Sequence, residues 1–590
     1  MVVLSIDPQF ASSMGLSQML HLNFPFADGA LGLLVKAALI VVVIRLFTAV
    51  YNLATKRSPY ENIAGPEPSS AMLGYLADVH GMDSLDLHFT MTERYGHVAR
   101  LKGGLFGSDG LYISDPLALH SILVKDQYNF PESTDFSGLF GIVHHGESLS
   151  SVSGKEHKQQ RKILNPVFTA AHVSKLSSLF HRIATELRDR LRTEVESNPG
   201  ATLDILDCLS RAALELISQG GIGHTFNALE NMSSKGFHEF HAALKDVLPC
   251  SSKLFPIFPF LESWRNKKPV WLRRFLGNLA YVIPWPSLRR FKECIDIMYP
   301  TCAKIFHEKK KLFDEGGIDA LANTASGGRD LTTVLMQANS EADKENRMPD
   351  QTVITAMSSI LLGGQETTSG AMCRLLDLMS LHCDLQDWLR EEINEALAEK
   401  NGKPLDFYEL NALPRLDATC REALRLFAPV TFVWRQTIKD TVVPLQYPIT
   451  DTKTGREIHE ILIHEGTPVY VGISALNRST TLWGPDAAQF IPERWMGHQA
   501  YESTMGKIKT PGVFSNTMTF LAGGRACPGM KFALLEIKTV MSVLLPAFRF
   551  KRTDAIVDWR LGITLSPYVR GKEAEGPQVP MKLSLIKEEN

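Results

Sequence analysis

The sequence predicts a mainly α-helical protein with a small β region, preceded by one N-terminal transmembrane helix. Three observations point there. Apolar residues recur at helical spacing over long stretches, among them Ser174 to Glu196, Leu203 to Ile217 and Val353 to Met379. Strand-like segments are short and confined to Val98 to Ser114, Asp440 to Val471 and parts of 547–590. Residues 29–51 form a run that is apolar and long enough to cross a bilayer, which takes roughly 20 such residues.

Length and composition narrow the function classes. At 590 residues, with 44% hydrophobic and 21% charged content, the chain reads as an ordinary globular protein larger than one small core. A net charge of −2 gives no reason to expect a nucleic-acid partner. The eight cysteines form no C-x-x-C pair and no zinc-like quartet. A reducing compartment is therefore expected rather than a disulfide framework.

At the N-terminus, residues 1–28 read as a lumenal segment and 29–51 as the anchor, interrupted by Lys36 and Arg45. A charge in mid-span costs perhaps ~3 kcal/mol, and snorkelling reduces that near a helix end. A cleaved signal peptide fits less well, because the apolar run starts late and no basic region precedes it. Residues 52–68 form a basic, proline-rich linker whose Lys56 and Arg57 put the large domain, 69–590, in the cytosol.

Val98 to Ser114 reads as a hairpin turning at Gly107-Ser-Asp-Gly110, and Pro116 starts a helix reaching about Val124. Residues 130–146 read as a loop carrying Phe136, Phe140 and a solvated His144-His145 pair, since no third metal ligand stands at sensible spacing. The next helix opens at Gly154 and sets His157 and Arg161 on one face. Leu254 to Leu261 is apolar and proline-interrupted, so it is not a regular helix. It is read as a loop dipping into the bilayer near a substrate entrance, with a buried loop as the alternative. Asn323 to Asp330 and Glu341 to Asp350 read as mobile polar surface segments.

The long helix 353–379 is broken in pattern at Gly363-Gly-Gln-Glu-Thr-Thr368. Two mid-helix glycines at roughly 1 kcal/mol each imply a close approach or a kink. Glu366 and Thr367 set a carboxyl beside a hydroxyl, a pair able to relay protons; small-residue packing alone would also account for the glycines. Leu416 to Phe427 is a further helix, with Glu422 and Arg425 at i, i+3. Ala428 to Trp434 follows it and leads to Arg435.

The densest chemistry lies in Phe520-Leu-Ala-Gly-Gly-Arg-Ala-Cys-Pro-Gly529, which opens into the apolar run Met530 to Leu545. Pro528 suits a first helical position. The glycines allow tight turns and close approach to a flat ligand. A thiolate at Cys527, just before a helix N-terminus, is stabilised by the N–H groups and the dipole, and Arg525, two residues earlier, adds a positive charge that could meet a carboxylate. Such a sulfur suits a soft or borderline metal, although one buried cysteine in an ordinary turn would look the same.

Phe520, Gly523, Arg525, Cys527 and Gly529 together resemble the haem-binding signature of the cytochrome P-450 family, and the likeness runs from about Gly65 to the end, closest in style to fungal members. The resemblance implies the P-450 fold and one haem b, with Cys527 as the axial iron ligand. It implies that Arg161, Arg435 and His157, which stands where the family usually has tryptophan, hold the propionates. It makes Glu366 and Thr367 the oxygen-activating pair, and Glu422, Arg425 and Arg494 a structural ion lock.

The implied reaction inserts one atom of O2 into an apolar small molecule. Electrons come from NADPH through a cytochrome reductase, with cytochrome b5 as a second partner, at the endoplasmic reticulum membrane. Segments 130–146, 356–363 and 428–434, pocket walls by the resemblance, are apolar and suit an apolar substrate; the likeness to fungal members implies a terpenoid-like molecule of secondary metabolism. The alternatives are a fatty-acid, sterol or xenobiotic hydroxylase, a reductase-independent haem-thiolate isomerase, and a non-catalytic haem protein.

Overall fold

The computed structural model describes residues 40–41, 43–44, 58–104, 107–230, 235–257, 270–317, 319–321, 327–341, 347–497 and 509–586. The chain divides into Met1–Pro59 and Tyr60–Asn590. In the first unit Ile40, Val41, Val43 and Ile44 are helical with exposed side chains. The rest of the expected anchor lies outside the described residues. Among those described, no helix is long and apolar enough to cross a membrane.

The second unit is mainly helical with small sheets, as the periodicities predict. The hairpin Val98–Leu101 and Gly110–Ile113 pairs antiparallel, with Val98 opposite Ile113. Pro468–Gly472 joins it in parallel, and Phe432–Gln436 completes the four-stranded sheet on the far side. Strand Pro580–Leu585 lies between Thr202–Asp204 and Phe548–Arg552. The Asp440 to Val471 region supplies the expected hairpin, Thr441–Thr450 with Glu457–Ile463.

Helix Ile205–Ile217 starts where the Asp204 carboxylate accepts from Leu206 N, and it is buried on every side. Against it runs Asp350–Met379, a continuous helix of 30 residues. The expected break at the glycine pair is absent, but the close approach is there. A Cβ on Gly364 would sit 2.5 Å from Ile217 Cγ1, so the glycine lets the two helices meet. Gly363 faces open space, with nothing within 4 Å of its absent side chain. Helix Met530–Ala547 packs on Ser177–Ser197, with the rings of Phe180 and Phe532 edge-to-face at 4.9 Å.

Three readings need correction. Residues 130–146 are not a loop: Thr134–Val143 is a helix capped by the Ser133 hydroxyl, which accepts from Phe136 N. Gly138 and Gly141 lower its propensity and hide it in the sequence. His144 is not solvated but buried, 3.0 Å from Ser358 Oγ, while His145 stacks on Tyr299. Asp330 is not on a mobile surface: it is fully buried, 2.6 Å from Lys309 Nζ, and accepts from Thr333 N.

The described part of the 254–261 segment is the buried alternative. Leu254 is buried and Phe255–Ile257 forms a short 3-10 turn packed against the core. Residues 258–261 lie outside the described residues. Exposed apolar side chains come later, at Trp271 and Phe275, one turn apart on helix Val270–Asn278, and then at Leu279 and Val282 beyond it.

Candidate active site

Widely separated segments converge on a cavity of about 330 Å³. Its walls include Cys527 and Phe520, Thr367 and Thr368 from the long helix, His157 and Arg161, the strand around Arg435, and Glu132 with Phe136. A wider opening of about 810 Å³ shares His157, Arg161, Arg435 and Arg525 with it.

The cysteine loop is built from its own backbone. Cys527 N donates to Phe520 O at 2.9 Å, and Ala526 N to Gly523 O at 3.1 Å. Phe520 lies edge-on to Phe514 at 5.2 Å. Gly523 has φ +63°, and a Cβ there would lie 1.9 Å from Leu123 O. Its close approach is therefore to the chain itself rather than to a flat ligand. Gly529 caps the helix, which begins at Met530, so Pro528 precedes the first helical position instead of filling it. A Cβ on Gly529 would meet only Cys527 Sγ, at 3.9 Å.

The sulfur is open to the cavity yet enclosed by protein. Burial pushes the Cys527 thiol up, and the Gly529 N–H, Arg161 and the Met530 N–H pull it back. The nearby cation is Arg161, which donates to Ala526 O at 2.8 Å. Arg525 meets the carboxylate the sequence leaves open for it: it pairs with Glu132 at 2.5 Å and donates to Leu149 O and Val152 O.

One edge of the cavity is strongly basic. Arg435 is buried, 3.5 Å from Glu132 on the neighbouring chain segment. His157 is buried, and its Nε2 has no partner among the described residues. Burial first, then Arg525, Arg161 and Arg435, hold its pKa down to about 3, so the imidazole is neutral. Three guanidiniums face one carboxylate, which leaves two positive charges and one buried imidazole nitrogen to be matched. A flat group carrying two carboxylates, as haem b does, fits that edge.

Every core segment of this cavity lies within residues 64–559, the span matched by the cytochrome P450 family model. The chain belongs to the cytochrome P450 family. It is 38% identical to cytochrome P450 monooxygenase 91 of Postia placenta, over 90% of this chain and 95% of that one. It is 34% identical to the ganoderic acid synthetase of Ganoderma lucidum, over 92% and 97%. A cytochrome P450 monooxygenase of Hericium erinaceus is 32% identical over 96% of this chain and all of its own length. As a P450 monooxygenase the protein works with haem, electrons from a redox partner and a small-molecule substrate.

The acid and the alcohol of this P450 do not meet as the sequence suggests. Thr367 lines the cavity, its hydroxyl donating to Gly363 O at 2.6 Å. Glu366 is not part of the cavity wall; its carboxyl faces Lys245, Asp246 and Thr564. Burial pushes it up to about 7, with Lys245 opposing, Asp246 adding and the Thr564 hydroxyl opposing.

Glu422, Arg425 and Arg494 do come together. Arg425 grips Glu422 with two bonds, at 2.7 and 2.8 Å, and Arg494 approaches it at 3.4 Å. The Trp495 ring N–H and Ile491 N also donate to the carboxylate, and Arg425 reaches the carbonyls of Asn477 and Ala487. These extra donors and acceptors offset the cost of burying the ions.

One site residue escapes the sequence reading. Glu132 balances Arg435 and Arg525 and bridges to Arg435 through its backbone, and nothing local in the sequence marks it. Glu536, outside the cavity wall, is fully buried, and burial holds it well above the carboxylate range while the Thr368 hydroxyl opposes.

Proposed function

We propose that this P450 is a single-pass enzyme of the endoplasmic reticulum membrane that hydroxylates an apolar, terpenoid-like molecule of secondary metabolism. One observation carries the reading: a single cavity joins the Cys527 sulfur, a basic edge in surplus by two charges, and an apolar wall of Phe136, Val430, Val433 and Ile473. Cys527 would hold the iron of haem b through its sulfur, within a loop shaped by Phe520, Gly523 and Gly529. Arg161, Arg435 and His157 take the propionates, with Arg525 and Glu132 bracing that edge. When bound, the haem supplies oxygen activation, which thiolate ligation favours.

The remaining tasks fall to the chain. The Thr367 hydroxyl stands at the cavity wall and passes on a proton when it releases the Gly363 carbonyl. Glu366, poised near neutrality, can give and take protons on the helix side facing Lys245 and Asp246. The apolar wall excludes water and selects an apolar substrate. Glu422, Arg425 and Arg494 are the structural lock.

Residues 1–28 are lumenal, 29–51 the anchor, 52–68 the linker and 69–590 the cytosolic catalytic domain. Supporting membrane residence are the apolar run at 29–51 and the exposed Trp271, Phe275 and Val282. Electrons come from NADPH through a cytochrome reductase, with cytochrome b5 as a second donor. The relative named ganoderic acid synthetase supports a place in secondary metabolism.

The test is microsomal expression with the reductase and a panel of terpenoids, fatty acids and aromatics. The expected result is a thiolate-haem band in the reduced carbon-monoxide spectrum and an NADPH-dependent hydroxylated terpenoid. Turnover that persists without NADPH would establish the isomerase reading instead.

A further inference from the structure

On the reading of Cys527 and the basic edge as the haem site, a porphyrin covers those walls, and the bulk of a substrate must lie beyond Phe136, Val430 and Val433. A second cavity, of about 140 Å³, shares those three walls. Its other sides are aromatic. The His80 ring stands edge-on to Phe432 at 5.4 Å and to Trp434 at 5.2 Å, and lies parallel to Phe255 at 6.2 Å. An apolar cavity of about 150 Å³ holds one benzene, so this chamber has room for one six-membered ring.

Its polar atoms are already engaged. His80 Nε2 is 3.1 Å from Tyr470 OH, and burial holds the imidazole neutral, its pKa near 3. The Ser252 hydroxyl donates to Leu248 O at 3.0 Å and accepts from Ile563 N at 3.1 Å. Among the described side chains, a hydroxyl carried into the chamber would find at most the one lone pair left on Ser252 Oγ in exchange for its water.

We propose that this aromatic chamber seats the end of the substrate remote from the oxidised carbon, and that it accepts an unsubstituted hydrocarbon ring and rejects a ring bearing a hydroxyl. The ring meets edges and faces at the spacing aromatic contacts prefer. A chamber of this kind is a specificity element: it selects by what the far end of the molecule lacks. Oxygenation elsewhere in a reaction sequence would then follow this step rather than precede it, wherever it falls on that ring.

The experiment uses the haem-loaded full chain in detergent and measures binding by equilibrium dialysis of 1-phenyloctane, 4-octylphenol and octyltrimethylammonium. The expected order puts 1-phenyloctane ahead of 4-octylphenol by on the order of tenfold, the cost of a buried hydroxyl left short of its water partners. The cation is the rival occupant, because ring faces attract quaternary ammonium; its binding more tightly than 1-phenyloctane overturns the proposal. Ile563→Phe fills the chamber and should weaken 1-phenyloctane about tenfold while the reduced carbon-monoxide band persists. Phe255→Leu removes one ring at similar volume and provides a second reading if the first variant loses haem.

Equal binding of the phenol, or undiminished binding of 1-phenyloctane by both variants, overturns it. A protein that hydroxylates a panel substrate but does not discriminate among these probes keeps its proposed function and loses only the chamber. One that discriminates yet yields no NADPH-dependent product does the reverse.

Discussion

Replacing Cys527 with serine takes away a soft thiolate and leaves a hydroxyl, a poor partner for iron. The expected outcome is loss of the thiolate band in the reduced carbon-monoxide spectrum and turnover at background. Glu366 allows a test in which the sign matters. Its folded pKa, about 7, lies above the ordinary value of 4.5, so the folded state holds the proton more tightly than the unfolded chain. Stability therefore falls as pH rises from about 4.5 to 7, and the penalty is complete above that. Glu366→Gln removes the penalty. Its melting temperature should exceed that of the parent at pH 8, by an amount worth up to about 3 kcal/mol, and match it at pH 4.5. Identical shifts at both pH values would show that Glu366 carries no such burden. The same variant should lower coupled product formation if the carboxyl feeds the Thr367 hydroxyl.

Between elements, the contact that matters most to the site is Gly364 against Ile217. A valine at 364 would drive its Cβ into Ile217 and should cost about 1–3 kcal/mol in denaturant unfolding. Ile217→Ala in the same chain should recover part of that loss, since residues in contact couple in double-mutant cycles. Legibility in the sequence also divides at this scale. The 98–113 hairpin, the long helices and the cysteine turn are each announced by local pattern or by a compact motif. Helix Thr134–Val143 is not, because its two glycines argue against it and its stability comes from packing Phe136 on Phe140 and on Trp434. Nor is the partner of Arg525 legible, since Glu132, far away in the chain, supplies the carboxylate. Glu366 and Thr367 are readable as a pair, yet adjacent helix positions point about 100° apart, so only the fold reveals which one meets the cavity.

For the molecule as a whole, the lock around Glu422 predicts an asymmetric cost. Glu422→Ala leaves Arg425 buried without its counter-ion and should destabilise by about 3–5 kcal/mol. Arg494→Ala should cost less, since Arg494 sits 3.4 Å from the carboxylate and Arg425 still satisfies it. Urea unfolding of the two variants reads the difference directly. On the membrane side, a chain beginning at residue 58 should remain partly bound to phospholipid vesicles, and Trp271→Ser with Phe275→Ser should release it. Full release without those changes would remove the apolar patch from the account.

The Gly523 turn rests on the carbonyl of Leu123, and Arg161 reaches the carbonyl of Ala526. The cysteine loop and the 123–127 segment it rests on are thus 397 positions apart in the chain, and the pocket does not exist until both are in place. A nascent chain that has not yet delivered the cysteine loop has nowhere to put the porphyrin. Cofactor capture must wait for that loop, and a stop codon anywhere before the cysteine yields a pale protein however much of the helical body has folded.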